Sequence, residues 1–358
     1  MTLIDLSLGE ITCGPDEKVK GFISEIAKCD WQGYLKAPGI PRLREMIAKR
    51  FQEIYEIQLT PENVLVTTGA SMGLTAIYHI LPEKRLLIPE IGFPLYRKTT
   101  ALLGVETQLY HFRPTTNWDR TVQDIEEGFR RGFRALLWNN PHNPLGIVAP
   151  AEITQRVSYL CKQYKAICIS DEVYRDFIYE GNLKSPANYI PFQTLFLYSF
   201  SKSYSMAGAR VGFVISHPTI IRQLTSVHWS MGMSTPWLSQ EAALFALEHT
   251  SHYPVSLAKK MGDRLRWASQ QLRINGITSY EPNGGIFLCI SVEPLEISAD
   301  QFVIHAKEKA NILLMSGREF GDEKLVRINA GIDEVIFKEG IQRIIDLYKS
   351  LKERVGRL

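Results

Sequence analysis

The chain has 358 residues, 45% of them hydrophobic and 22% charged, enough to bury a large core and to divide into two lobes. Its formal net charge of +3 is small for that length and no block of like charge occurs, which argues against a basic nucleic-acid or membrane-surface protein. No apolar run approaches the roughly 18 residues needed to span a bilayer.

The first residues, Met1 to Leu6, lack a basic head before a long apolar core, so no signal peptide is expected. From about Pro61 onward, short apolar runs alternate with longer amphipathic ones. Val64 to Thr67 reads as a strand, followed by Gly69-Ala70-Ser71 and a helix to about Ile80. Further strands are expected at Arg85 to Ile88, Ala135 to Trp138, Ala166 to Ser170, Thr194 to Tyr198 and Val211 to Ile215. Apolar runs without alternation indicate strands covered on both faces, hence a mostly parallel α/β sheet. A crossover helix suits Ala151 to Tyr164, and helices follow at Leu238 to Glu248 and Pro254 to Asn275. The tail changes character, with strands at Gly285 to Ile290 and Leu325 to Asn329, a helix at Ala299 to Ala310 and a closing helix from Asp333. The expected architecture is a three-layer sandwich around a mostly parallel sheet, plus a smaller α+β domain from both ends of the chain. The boundaries are residues 1–30 and 246–358 for the small domain and 31–245 for the large one.

The five cysteines, Cys13, Cys29, Cys161, Cys168 and Cys289, are scattered without a CxxC pair, which fits a reducing cytoplasm and suggests no metal site. Chemistry concentrates in the run Tyr198 to Gly212. Lys202 follows an apolar stretch among small and hydroxylated residues, and Arg210 comes eight residues later. A lysine there can lose its proton and attack an aldehyde while Ser199 and Arg210 hold an anion, the equipment for binding pyridoxal phosphate. Other polar outliers fall at strand ends, where open parallel sheets bind ligands. Asn139 to Gly146 contains two Asn-Pro steps, and Ser170-Asp171-Glu172-Val173-Tyr174 follows a strand. Gly69-Ala70-Ser71 lies at a strand-to-helix turn whose free N–H groups suit a phosphate. Arg327, between valine and isoleucine on an expected strand, is a costly charge unless it is paired.

In this order and spacing the sequence resembles the fold-type-I, class I and II aminotransferases, which use pyridoxal phosphate. The elements are Tyr34 with Gly39 to Arg44, Gly69-Ala70-Ser71, Asn143-Pro144-Leu145-Gly146, Asp171 with Tyr174, Ser199 to Lys202 with Arg210, and Arg327. They cover roughly residues 5 to 345.

The resemblance implies that Lys202 holds pyridoxal phosphate as an internal aldimine and carries the proton, that Asp171 pairs with the pyridine nitrogen, and that Tyr174 and Asn143 hydrogen-bond the ring oxygen. It assigns the phosphate to Gly69, Ala70, Ser71, Ser199 and Arg210, with Tyr34 reaching from the neighbouring subunit of a homodimer, and the ring stack to Phe93. The substrate carboxylate would meet Arg327 and Asn143, with Gly9 close by. Leu145 stands where the family usually has threonine, so any role of that hydroxyl is absent. The expected reaction moves an amino group between an L-amino acid and a 2-oxo acid. The alternative is another reaction at the Cα on the same scaffold, such as decarboxylation, oxidation or cyclisation. A ligand-sensing regulator is not expected, because the pattern begins within the first ten residues. Tyr96, Trp229, Trp31 and Arg318 are candidates to contact the substrate side chain.

Overall fold

The computed structural model describes residues 2–30, 33–113 and 117–355. Its centre is a seven-stranded sheet in the order Val64–Thr67, Gly212–Ile215, Thr194–Ser199, Ile167–Asp171, Ala135–Asn139, Arg85–Pro89, Glu106–Tyr110. Only Gly212–Ile215 runs antiparallel to its neighbours. The strands Val64–Thr67, Ala135–Asn139, Thr194–Ser199 and Gly212–Ile215 are buried throughout, as uninterrupted apolar runs require when helices cover both faces. The edge strand Glu106–Tyr110 is mostly exposed and reads as polar.

Several elements are delimited by recognisable local chemistry. Helix Pro41–Tyr55 begins with a proline, whose fixed φ suits a first helical position, and ends at Glu56 in the left-handed region. Helix Ala299–Ala310 opens on a capping box between Ser298 and Gln301 and stops at left-handed Asn311. Helices Ala151–Gln163 and Trp237–His249 lie where the sequence puts them, within one residue at each end.

A smaller antiparallel sheet runs in the order Met315–Ser316, Leu325–Asn329, Phe287–Ser291, Ser279–Tyr280. Ile4–Asp5 pairs in parallel with Ile312–Leu313, which ties the start of the chain to its last third. Helices His252–Ile274, Ala299–Ala310 and Glu334–Val355 pack with this sheet around one apolar cluster that also takes in Tyr174 and Phe177 from the central region. The fold is therefore the expected α/β sandwich with a smaller α+β part. Residues from both parts meet at the carboxyl ends of the central strands.

Candidate active site

Strand Thr194–Ser199 ends on Ser199, whose hydroxyl accepts from the Ser201 N–H at 3.1 Å and starts the short helix Phe200–Ser203. That helix carries Lys202 into a cavity, where its Nζ donates to the Gly9 carbonyl. Burial, reinforced by the positive charges of Arg327 and Arg210 and opposed by Glu10, lowers the Lys202 amine to about 8. An amine so adjusted is available as a nucleophile and proton carrier near neutral pH.

Asp171 ends the adjacent strand. Its Oδ2 accepts from the Tyr96 hydroxyl at 2.6 Å and its Oδ1 from the Val173 N–H at 3.2 Å. Burial pushes this carboxyl up, and the two hydrogen bonds oppose that shift. Among the described residues no cationic side chain forms an ion pair with Asp171. A buried carboxylate with donors and no counter-charge is suited to a cation brought by a ligand. Helix Pro94–Leu102, begun by a proline, sets Phe93 and Tyr96 one turn apart, with ring centroids 5.7 Å from one another.

An anion cradle lies beside them. Gly69 opens helix Gly69–His79 with φ +75°, and a Cβ there would stand 2.6 Å from Arg210 Nη2. Arg210 itself is left-handed, with φ 53°. A Cβ on Gly212 would fall 2.8 Å from the Ala70 nitrogen. Both glycines let the guanidinium and the helix's first N–H groups approach one space, with the Ser199 and Ser201 hydroxyls 2.9 Å apart at its edge.

The opposite wall comes from the ends of the chain. Arg327 is 4% exposed, in the middle of strand Leu325–Asn329. Its Nη1 donates to Asn143 Oδ1 at 3.1 Å and its Nη2 to the Ser7 carbonyl at 2.7 Å. The guanidinium lies over Phe287 at 4.1 Å and Phe320 at 4.6 Å, while its buried Nε has no partner among the described residues. Burial lowers its pKa to about 10, still charged at neutral pH. A cation held by two neutral oxygens and two rings has capacity left for a carboxylate. Gly9 packs close by, since a Cβ there would be 2.9 Å from the Phe287 ring and 3.6 Å from Arg327 Nη2.

The cavity these groups enclose measures about 280 Å³. It gathers Gly9, Ala70, Ser71, Phe93, Asn143, Asp171, Tyr174, Ser199, Lys202, Arg210 and Arg327 from positions scattered over the whole chain. Gly69 stands behind Arg210, outside the lining. Tyr34 is 86% exposed and is not part of this cavity's lining. Of the candidates for a substrate side chain, Trp229 is exposed outside the cavity and Arg318 is paired with Asp300 at 3.0 Å. Tyr96 does line the cavity, but its hydroxyl is spent on Asp171, and Trp31 lies outside the described residues. Sequence reasoning missed the tie between Gly9 and Lys202 and the lining by Leu8, Leu74, Val173 and Met315. None of these carries a local signal, because apolar residues and a backbone carbonyl look the same wherever they occur.

Comparison with known proteins agrees with this geometry. Residues 2–344 match the family model described as aminotransferase class I and II. The chain is 26% identical to aspartate aminotransferase of Pyrococcus horikoshii, over 96% of this chain and 90% of that one. It is 28% identical to (5-formylfuran-3-yl)methyl phosphate transaminase of Methanocaldococcus jannaschii, again over 96% and 90%. The crystal structure of aspartate aminotransferase from Thermotoga maritima superposes with a TM-score of 0.90 at 26% identity, covering 96% of this chain and 91% of that one.

Proposed function

The chain belongs to the class I and II aminotransferases, pyridoxal-phosphate-dependent enzymes of fold type I, and from that premise we propose which of its residues perform amino transfer. Pyridoxal phosphate, when bound, supplies an aldehyde that condenses with amines and a cationic ring that accepts the electron pair of a broken Cα bond.

The cavity fits that group on its own evidence. The glycine-cleared space beside Arg210 suits a phosphate, and the buried Asp171 carboxylate lacks the counter-charge that a protonated pyridine nitrogen carries. Lys202 is the residue that joins the aldehyde, and its lowered pKa supports a second task, moving a proton to and from the substrate Cα. Tyr174 and the Asn143 amide would hold the ring oxygen, Phe93 would cover the ring, and Ala70, Ser71, Ser199 and Arg210 would hold the phosphate. Arg327 binds the substrate α-carboxylate, with Asn143 orienting the guanidinium through the 3.1 Å hydrogen bond.

The working unit in this reading is a homodimer. Thr68, the residue before the cradle's Gly69, is tied to His228 through its N–H at 3.4 Å and to Thr235 through its hydroxyl at 3.4 Å. Trp229, next to His228, and Met233, two residues before Thr235, are exposed, as is Tyr34. Such apolar surface beside the phosphate end is suited to a second copy, whose Tyr34 would complete the cradle. A cytoplasmic location fits the five unpaired thiols.

The observation that carries the reading is the convergence of Lys202, Asp171, Arg210 and Arg327 on one cavity. The test is a half-reaction. An L-amino acid added without acceptor should discharge the cofactor's yellow colour, and a 2-oxo acid should restore it. Release of carbon dioxide or uptake of oxygen in place of that cycle would refute amino transfer as the reaction.

A further inference from the structure

Arg327 fixes where a substrate's α-carboxylate sits, so the residues flanking Arg327 meet the side chain of the same substrate. Met315 lies directly opposite Arg327 in the antiparallel pair of strands Met315–Ser316 and Leu325–Asn329. Side chains so paired project from one face of a sheet with Cβ atoms about 5 Å apart. Leu8 lies between Ser7, whose carbonyl accepts from Arg327, and Gly9, which packs against the guanidinium. Leu8 is 53% exposed although apolar, which places it at the cavity mouth, and Met315 lines the same cavity half-buried.

The cations of this cavity are already assigned. Among the described residues its lining holds Lys202, Arg210 and Arg327, and no further lysine or arginine. Arg318, three residues beyond Met315, is neutralised by Asp300 at 3.0 Å, and Asp300 also accepts from the Ser316 hydroxyl. Asn139 spends its amide on the Pro141 and Asp171 carbonyls and its oxygen on the Asn143 N–H, so it offers little to a polar side chain. An acidic side chain reaching past Arg327 would lose water and gain no cationic partner from the described residues of the same chain, whereas an aliphatic or aromatic one would be covered by Leu8 and Met315.

We propose that this site takes amino acids with uncharged, apolar side chains and discriminates against dicarboxylic ones, with Leu8 and Met315 as the specificity-determining residues. This rests on the amino-transfer reading and on Arg327 as the carboxylate site.

Binding of unreactive carboxylates to the holoenzyme, measured by calorimetry, tests the proposal apart from turnover. 3-Phenylpropanoate should bind at least about tenfold more tightly than succinate, in the range by which apolar pockets discriminate. Leu8→Lys, at an exposed position, and Met315→Lys should each narrow or reverse that ratio. Succinate binding as tightly as 3-phenylpropanoate, failure of 3-phenylpropanoate to bind, or an unchanged ratio in both folded variants overturns the proposal. The colour half-reaction keeps the two readings apart. Discharge by aspartate but not by leucine or phenylalanine sinks the specificity and leaves amino transfer standing, whereas no discharge by any L-amino acid sinks amino transfer itself.

Discussion

The floor of the cavity comes from consecutive strand ends of one sheet, whereas its carboxylate wall joins residues from opposite ends of the chain. Asp171, Ser199, Lys202 and Arg210 lie within one stretch of the central sheet, and each is placed by the strand it ends or follows. Arg327, by contrast, depends on the Ser7 carbonyl and on Asn143, and its cross-strand neighbour is Met315. In the proposed reading the floor serves the cofactor and the wall the substrate, with Asn143 and the Gly9 carbonyl linking the two. The difference predicts that floor substitutions damage chemistry whereas wall substitutions damage substrate binding.

The largest effect belongs to the floor. Lys202→Ala should lower turnover by about 10⁴-fold, the upper range for losing a general acid–base group, with the small-domain wall intact. Rapid-quench measurement of a single half-reaction checks this, and near-normal turnover would remove Lys202 from the chemistry. On the wall, Arg327→Lys keeps the charge but loses the planar fork. It should raise KM by about 100-fold, while the cofactor's absorbance and affinity stay as in the parent enzyme. A variant that also loses its cofactor would erase the distinction between the two regions.

A third effect concerns stability and carries a sign. Burial and two arginines depress Lys202 to about 8 in the folded chain, below its unfolded value of 10.5. Between those values the unfolded chain binds more protons, so cofactor-free protein should gain stability as pH rises from about 8 to about 10.5. Replacing the amine by a neutral side chain in Lys202→Met should stabilise cofactor-free protein at pH 7 by on the order of 2 kcal/mol, and the difference should fade above about pH 10.5. Chemical denaturation across that range reads it. The smallest effect is expected at Tyr96→Phe, which removes one donor from Asp171 and leaves the Val173 N–H in place. Turnover should fall by about tenfold, the size of one hydrogen bond to a charged group, with the colour of the bound cofactor titrating at a shifted pH.

The floor was the more legible half in the sequence, and the reason is physical. A lysine after an apolar strand, an Asn-Pro turn and a glycine at a helix start are local arrangements with local signatures. The central strands were legible because burial on both faces leaves uninterrupted apolar runs, but Glu106–Tyr110 was not, since an edge strand with exposed side chains reads as loop. On the wall, Arg327 announced itself as a charge between apolar strand residues. Its surroundings did not. Gly9 meets Lys202 across 193 positions, and Tyr96 meets Asp171 across 75, contacts that only the folded sheet brings about.

The most direct test of the central claim is to reduce the holoenzyme with borohydride and map the modified peptide by mass spectrometry. The account predicts one pyridoxyl adduct per chain, on the peptide containing Lys202, and none in Lys202→Ala. An adduct on another lysine, or a parent enzyme that releases its cofactor unmodified, would contradict it.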